Sequence, residues 1–388
     1  MIKFPDYLGP MAFGLRMGVV LPGMDVVEVV YEALSRCHRD GLLADGDVVC
    51  VTESIVARAQ DNYVTLDDIA REIKEKLSLS PHSRVSVIFP IASRNRFSMI
   101  LKGIARAVPA GEVVVQLSFP CDEVGNQIIP SDRAIHIGKD LITEDDLAGT
   151  DFRHPITGVN YIELYRETIF SEGANPVIIL SNDPLASLDF APDGVIAADI
   201  HQRFMTREII AEEFANCITL DQVCNSGSAY SEWGLLGSNM SAAGKLKLAP
   251  RDGQKVVDDI KEKVKNLLGL DVEVLIYGDG AYKDPTSGIY ELADPRPAFA
   301  ATSGLDHLRE GVKYKYMADL CFHEQGKNAS EIEAILEESC RRDLPESSLE
   351  KEGTTPRRME DILASLADLV SGSADAGTPV VLIKGFLR

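Results

Sequence analysis

Short apolar runs recur along the chain, and most of them close on a cluster of polar side chains. The clearest run is Val272, Val274, Leu275, Ile276 and Tyr277, which predicts a buried strand. It ends in Gly278-Asp279-Gly280, where two glycines permit a sharp turn and leave the carboxylate uncrowded. Lys283 and Asp284 follow closely. Residues 14–22 predict a strand ending at Leu21-Pro22-Gly23. Asp25 then caps a helix with Val26, Val29, Val30, Ala33 and Leu34 at helical spacing. Residues 47–57 read as a second strand, apolar up to Thr52-Glu53-Ser54, with Arg58 just beyond. A helix opens at Thr65. Residues 84–90 predict a strand that delivers Ser93-Arg94-Asn95-Arg96 to the start of an apolar helix. Further strands are expected at 112–119, 176–183, 193–201 and 245–248. Asp252 is placed to cap an amphipathic helix, and 329–340 and 359–370 read as two more helices. A last strand covers 379–383, and 346–358 has the composition of a linker or mobile loop.

This pattern implies a mixed α/β fold, several small mixed sheets with flanking helices. Strands and helices alternate without the regularity of a doubly wound sheet. A chain of 388 residues, 45% hydrophobic, has room for two or three domains at roughly 100–200 residues each. Its formal charge of −21 repels nucleic-acid backbone and anionic membrane. No apolar run approaches the roughly 18–20 residues of a membrane helix, and no signal-peptide pattern opens the chain, so a cytoplasmic protein is expected. Seven scattered cysteines without a C-x-x-C read as reduced thiols. Histidine is scarce, so any metal should be a hard cation on oxygen ligands. Neither G-x-G-x-x-G nor G-x-x-x-x-G-K-[ST] occurs, and no G-x-S-x-G elbow is found.

Two clusters invite chemistry. Ser93-Arg94-Asn95-Arg96, between a strand and a helix, has the make-up of an anion site; arginines paired with acidic neighbours explain it equally well. Gly278-Asp279-Gly280 with Lys283 and Asp284 fits a site for metal, phosphate or carboxylate, or a tight loop with a solvated ion pair. His154, beside a proline, reads as a hydrogen-bonded loop residue.

Four stretches, in order, resemble the γ-glutamyl ligases that attach glutamate to the deazaflavin coenzyme F-420. The first joins Val20-Leu21-Pro22-Gly23 to Asp45 through Ala59, similar to the family's G-D strand with its Thr-Ser or Thr-Gln and nearby lysine. The second, Asn225-Ser226-Gly227, Ser238-Asn239 and Leu246 to Asp252, looks like N-A-G-[IV]-D-x-S-N and the "LLPEDP" after it. The third is Gly278-Asp279-Gly280, similar to the family's S-D-T. The fourth, Glu360 through Phe386, resembles "DELA…ELVMGQ…EGIPVVLIRGL" nearly position by position. On this resemblance 1–80, 221–305 and 359–388 form a ligase-like core. Residues 81–220 are an unmatched α/β insertion or substrate region, and 306–358 a polar variable segment.

The resemblance implies GTP or ATP as co-substrate, Mg²⁺ or Mn²⁺, an acyl-phosphate intermediate, amide formation with glutamate, and an intertwined homodimer. By position, Leu21, Pro22, Glu53, Ser54, Arg58, Asn239, Ser371, Gly372, Ser373 and Gly377 are the expected nucleotide contacts. Asp279 is the expected metal ligand, with Glu232 substituting for a missing family aspartate. Ser93, Arg94, Arg96, Asn225, Lys283 and Asp284 are expected to meet an anionic substrate. The chain departs from the pattern at Gly280, where the family has a hydroxyl, and at Ser373, where it has glutamine. Glu53 puts an acid where the family has threonine or serine, which would repel phosphate. These changes point to altered metal or nucleotide use. The alternative is a small-molecule or nucleotide-binding protein of the same fold that no longer ligates.

Overall fold

A computed structural model describes residues 5, 7–147, 152–280, 282–309, 311–339, 345, 347–351, 357–371 and 377–387. Two five-stranded sheets organise it. The first is mixed, in the order Met11–Leu15, Val380–Lys384, Val48–Thr52, Glu273–Tyr277, Ala298–Ala301. Its central strands are buried on both faces, hence their unbroken apolar runs. Val49, Val51, Val274 and Ile276 face the core under helices Val26–Arg39 and Gly253–Leu268. Val48, Cys50, Leu275 and Tyr277 face the opposite core, under helix Met359–Ser371. Alternate positions of one strand thus serve two cores.

The second sheet is wholly parallel, in the order Asn175–Leu180, Glu112–Leu117, Arg84–Ile88, Gly194–Ala197, Cys217–Thr219. This is a doubly wound order, with the first and fourth strands adjacent at the point where winding reverses. The expected lack of such regularity is corrected here. Its cause is legible: one crossover is only the 3₁₀ turn Ala186–Phe190, and another passes through the short helices Ser131–Ile137 and Glu144–Leu147 before helix Tyr161–Phe170. A small three-stranded sheet, Tyr63–Thr65, Lys245–Lys247 and Asn239–Met240, lies between the larger ones in sequence.

Several boundaries move. The first strand is Met11–Leu15, not 14–22, because residues 11–15 pair with 380–384. The strand expected over 47–57 stops at Thr52, whose side chain accepts from the Ser54 N–H and starts helix Glu53–Ala59. Asp25 caps its helix through the N–H groups of Val27 and Glu28 at 2.9 and 3.1 Å. Asp252 does not cap by its side chain; it adopts φ 51. The N–H of Asp252 instead donates to Glu232 Oε1 at 2.8 Å. His154 is buried in its loop, its Nδ1 accepting from Ile156 and Thr157. The six described cysteines are free. Residues 346 and 352–356 of the expected linker lie outside the described residues, and among those described no helix is long and apolar enough to cross a membrane.

Asp199, at the carboxyl end of Gly194–Ala197, is 2% exposed. Burial, and then the Glu123 carboxylate, push its pKa up to about 7. A group raised in this way stabilises the fold fully below its unfolded pKa of about 3.9, and that stability is lost as pH rises through the folded value. Between about pH 5 and about pH 8 the wild type should therefore lose about 1–3 kcal/mol that Asp199→Asn does not lose. Urea unfolding of both proteins at the two pH values reads the difference.

Candidate active site

Strand pairing brings distant chain segments to one edge. Val48–Thr52 and Glu273–Tyr277 run parallel, with Thr52 opposite Tyr277. Each strand therefore releases its polar successor at the same level, Glu53-Ser54 from one and Gly278-Asp279 from the other. The antiparallel strand Val380–Lys384 begins at this edge: the Thr52 N–H donates to the Pro379 carbonyl at 2.9 Å. The small sheet sets Tyr63, Lys247 and Asn239 in one row across its strands. All of these segments line a cavity of about 680 Å³.

The parallel sheet closes it. Residues Ile91–Arg96, leaving the first strand where winding reverses, form another wall. Buried groups hold this loop. Asp122 accepts from the N–H groups of Ala92, Val124 and Asn126 at 2.7, 3.1 and 2.8 Å. Tyr165, fully buried, donates to the Ile91 carbonyl at 2.7 Å and accepts from the Ser93 N–H at 2.9 Å. The Asn95 carbonyl accepts from the Met240 N–H at 2.7 Å, tying the loop to the small sheet.

Charge in the cavity is paired unevenly. Arg96 donates to Asp294 Oδ1 at 2.5 Å and, through its other nitrogen, to Asp279. Asp294 Oδ2 accepts from the Asp279 N–H at 2.8 Å. A Cβ on Gly278 would collide with the Asp294 carboxylate and the Phe299 ring, so this glycine is required for space. Asp368 accepts from the Gly280 N–H and the Tyr282 hydroxyl at 2.8 and 2.6 Å. Lys247 meets Glu53 at 2.5 Å. The Asp279 carboxyl is raised above its usual range, first by burial, then by Asp294, with Arg96 opposing. Burial also raises Glu53, against the pull of Lys247.

The model of the F420-0:gamma-glutamyl ligase family matches residues 14–385. The chain belongs to that family. The match encloses 81–220 and 306–358, the stretches that the four resembling segments leave out. A search of curated proteins returns no match. Among solved structures, a chain of the tetrameric eIF2B-beta2-delta2 complex from C. thermophilum is similar at 14% identity and a TM-score of 0.25. That similarity covers 49% of each chain, so this protein spans about half that chain's length, and it carries no argument here.

Of the residues singled out by ligase-family resemblance, Glu53, Ser54, Arg58, Asn239, Asp279 and Ser371 line the cavity. Ser93, Arg94 and Arg96 join them from the parallel sheet. The others lie elsewhere. Leu21 and Pro22 are exposed in a turn tied to the Ala59 carbonyl through the Gly23 N–H. Gly377 accepts from the Met17 N–H. Glu232 is exposed and holds the start of helix Gly253–Leu268, so it does not face Asp279 across the cleft. Asn225 and Lys283 are exposed. Asp284 closes a hairpin turn: burial raises its carboxyl, but hydrogen bonds from Thr286 and Ser287 outweigh this and lower it. Gly372 and Ser373 lie outside the described residues.

Lys247, Asp294 and Asp368 were not apparent as site residues. Lys247 sits in an alternating strand, and Asp368 in an amphipathic helix. None of the three is reachable by pattern: alternation puts Lys247 on the same strand face as the exposed Lys245. Lys247 neutralises Glu53, the acid that the sequence leaves facing phosphate. The carboxylates are oxygen donors of the kind a hard cation takes. As arranged they do not form a metal site: among the described residues no three His, Cys, Asp or Glu are grouped to hold an ion. The cation that faces Asp279 and Asp294 is the Arg96 guanidinium.

Asp294, its side chain 3% exposed, supports both Arg96 and the Asp279 turn. Asp294→Ala removes one of the two carboxylates that Arg96 meets and leaves the Asp279 amide without its acceptor, and should lower stability by about 2 kcal/mol. Denaturant midpoints of the variant and the wild type measure this.

Proposed function

We propose that the cleft binds a nucleoside triphosphate and uses it to join a carboxylate of an anionic small molecule to the amine of an amino acid. The carrying observation is the meeting of the ligase-like segments around Glu53, Asn239, Asp279 and Ser371 in one cavity with an open basic wall. Arg58 and Arg94 line that cavity, are exposed, and make no ion pair among the described residues. In a chain of net charge −21, two such guanidiniums favour an anionic ligand.

The reaction balances in two steps. A substrate carboxylate oxygen attacks the terminal phosphorus, and the bond to the bridging oxygen breaks, releasing the nucleoside diphosphate. The amine nitrogen then attacks the acyl-phosphate carbonyl, expels inorganic phosphate and gives up a proton. Both steps develop negative charge on phosphate oxygens, which Arg58 and Arg94 are suited to offset. GTP, or ATP, is the nucleotide; Mg²⁺ or Mn²⁺ accompanies it as in the family, glutamate is the amine, and the working form is a homodimer. A second reading, binding without ligation, draws support from Gly280 and Ser373, which replace metal-ligand types of the family.

Thermal unfolding with GTP and with ATP, each with Mg²⁺, tests the proposal. One nucleotide should raise the melting temperature, and Arg58→Ala should weaken its apparent affinity about tenfold, the loss of one charge-assisted contact. Absence of any shift with both nucleotides would count decisively against it. Binding that is indifferent to Mg²⁺ and unchanged in Asp279→Ala would favour the second reading.

A further inference from the structure

Arg96 reaches the acidic side of the cleft from the parallel sheet, not from the segments that resemble the ligases. Its guanidinium spans two carboxylates, meeting Asp294 at 2.5 Å and Asp279 through the other terminal nitrogen, and also donates to the Ala293 carbonyl at 3.3 Å. The Asp279 N–H donates to Asp294 Oδ2 at 2.8 Å and so holds Asp294 against the Asp279 backbone. Asp294 is almost enclosed, whereas the Asp279 side chain is 32% exposed and open to the cavity. An ion in the cavity therefore has access to this pair.

We infer that Arg96 is a tethered cation seated between Asp279 and Asp294, and that it keeps a free divalent cation off these carboxylates. Four carboxylates gather here (Glu53, Asp279, Asp294 and Asp368) with two buried or half-buried cations, Arg96 and Lys247. Lys247 is committed to Glu53. Without Arg96, Asp279 and Asp294 would lie side by side, largely out of water, with no positive partner. Such a pair demands a cation. The tether makes the guanidinium a persistent competitor, because Asp122 and Tyr165 hold its loop in place and keep its effective concentration high. One of the chain's departures agrees with this. Gly280, next to Asp279, supplies no side-chain ligand for a metal where a guanidinium already holds the seat.

The inference rests on the cleft being the working site, as proposed above, but its test does not require turnover. Mn²⁺ binding to the nucleotide-free protein is followed by the loss of the free-ion electron paramagnetic resonance signal. The wild type should bind weakly. Arg96→Gln should bind one ion about tenfold more tightly or better, as expected when a tethered competitor is removed. The gain should vanish in the double variant Arg96→Gln/Asp294→Asn. Arg96→Lys, whose ammonium meets one carboxylate at a time, should fall between wild type and Arg96→Gln, which keeps the test open if the glutamine variant unfolds. Mn²⁺ should also raise the melting temperature of Arg96→Gln more than that of the wild type. Unchanged or weaker Mn²⁺ binding in Arg96→Gln overturns the inference, as does a gain that survives in the double variant or, with Arg96→Gln unfolded, Arg96→Lys binding no tighter than wild type. GTP binding with Mg²⁺ is read separately; its failure removes the ligase reading and leaves the Mn²⁺ comparison standing.

Discussion

The parallel ladder between Val48–Thr52 and Glu273–Tyr277 is the constraint on which the cleft depends. Parallel strands end on the same side, so two chain segments far apart in sequence release Glu53 and Asp279 at one edge. Both strands are buried on two faces, and a slip of one residue would turn each apolar side chain into the wrong core. Register is therefore strongly specified, and so is the level at which the two acids emerge. The C-terminal strand, pairing antiparallel with Val48–Thr52, starts where they end and brings Ser371 and Pro379 to the same rim.

The second unit alters what this edge can do. A parallel sheet presents its loops at the carboxyl ends of its strands, and the loop after Arg84–Ile88 enters the cleft of the mixed sheet. Asp122 and Tyr165 fix that loop with buried hydrogen bonds. The result is an acidic pocket that carries its own counter-charge. Arg96 and Lys247 each neutralise part of it, and the remaining arginines, Arg58 and Arg94, stay open to an anion. A carboxylate cluster without these cations would repel phosphate; with them, one cavity holds both signs of charge.

Elements with a local physical signature were legible in the chain. The helix after Asp25 follows from a side-chain cap and apolar spacing, and the strand over 273–277 from a run that only a two-sided core explains. The Gly-Asp-Gly turn was recognisable, although its reason is space beside Asp294 and Phe299 and not a left-handed backbone. Ser93–Arg96 was recognisable as a charged cluster; in it Arg96 is salt-bridged to acidic partners, while Arg94 lines the cavity. The doubly wound order of 84–219 was hidden, because a single 3₁₀ turn does the work of one crossover helix. Asp294 and Lys247 were hidden because nothing nearby in sequence marks their partners.

The amino-acid order by itself determined the kind of most elements, the net acidic charge of the chain, and the family to which the chain belongs. Each follows from short-range pattern or from composition. Only the folded chain decided which charges meet. Arg96 and Asp279, or Lys247 and Glu53, lie far apart in sequence, and their pairing is set by strand order and register in three sheets. Coulomb attraction falls with distance and is screened by water and salt, so groups far apart in sequence pair only once tertiary packing has brought them together.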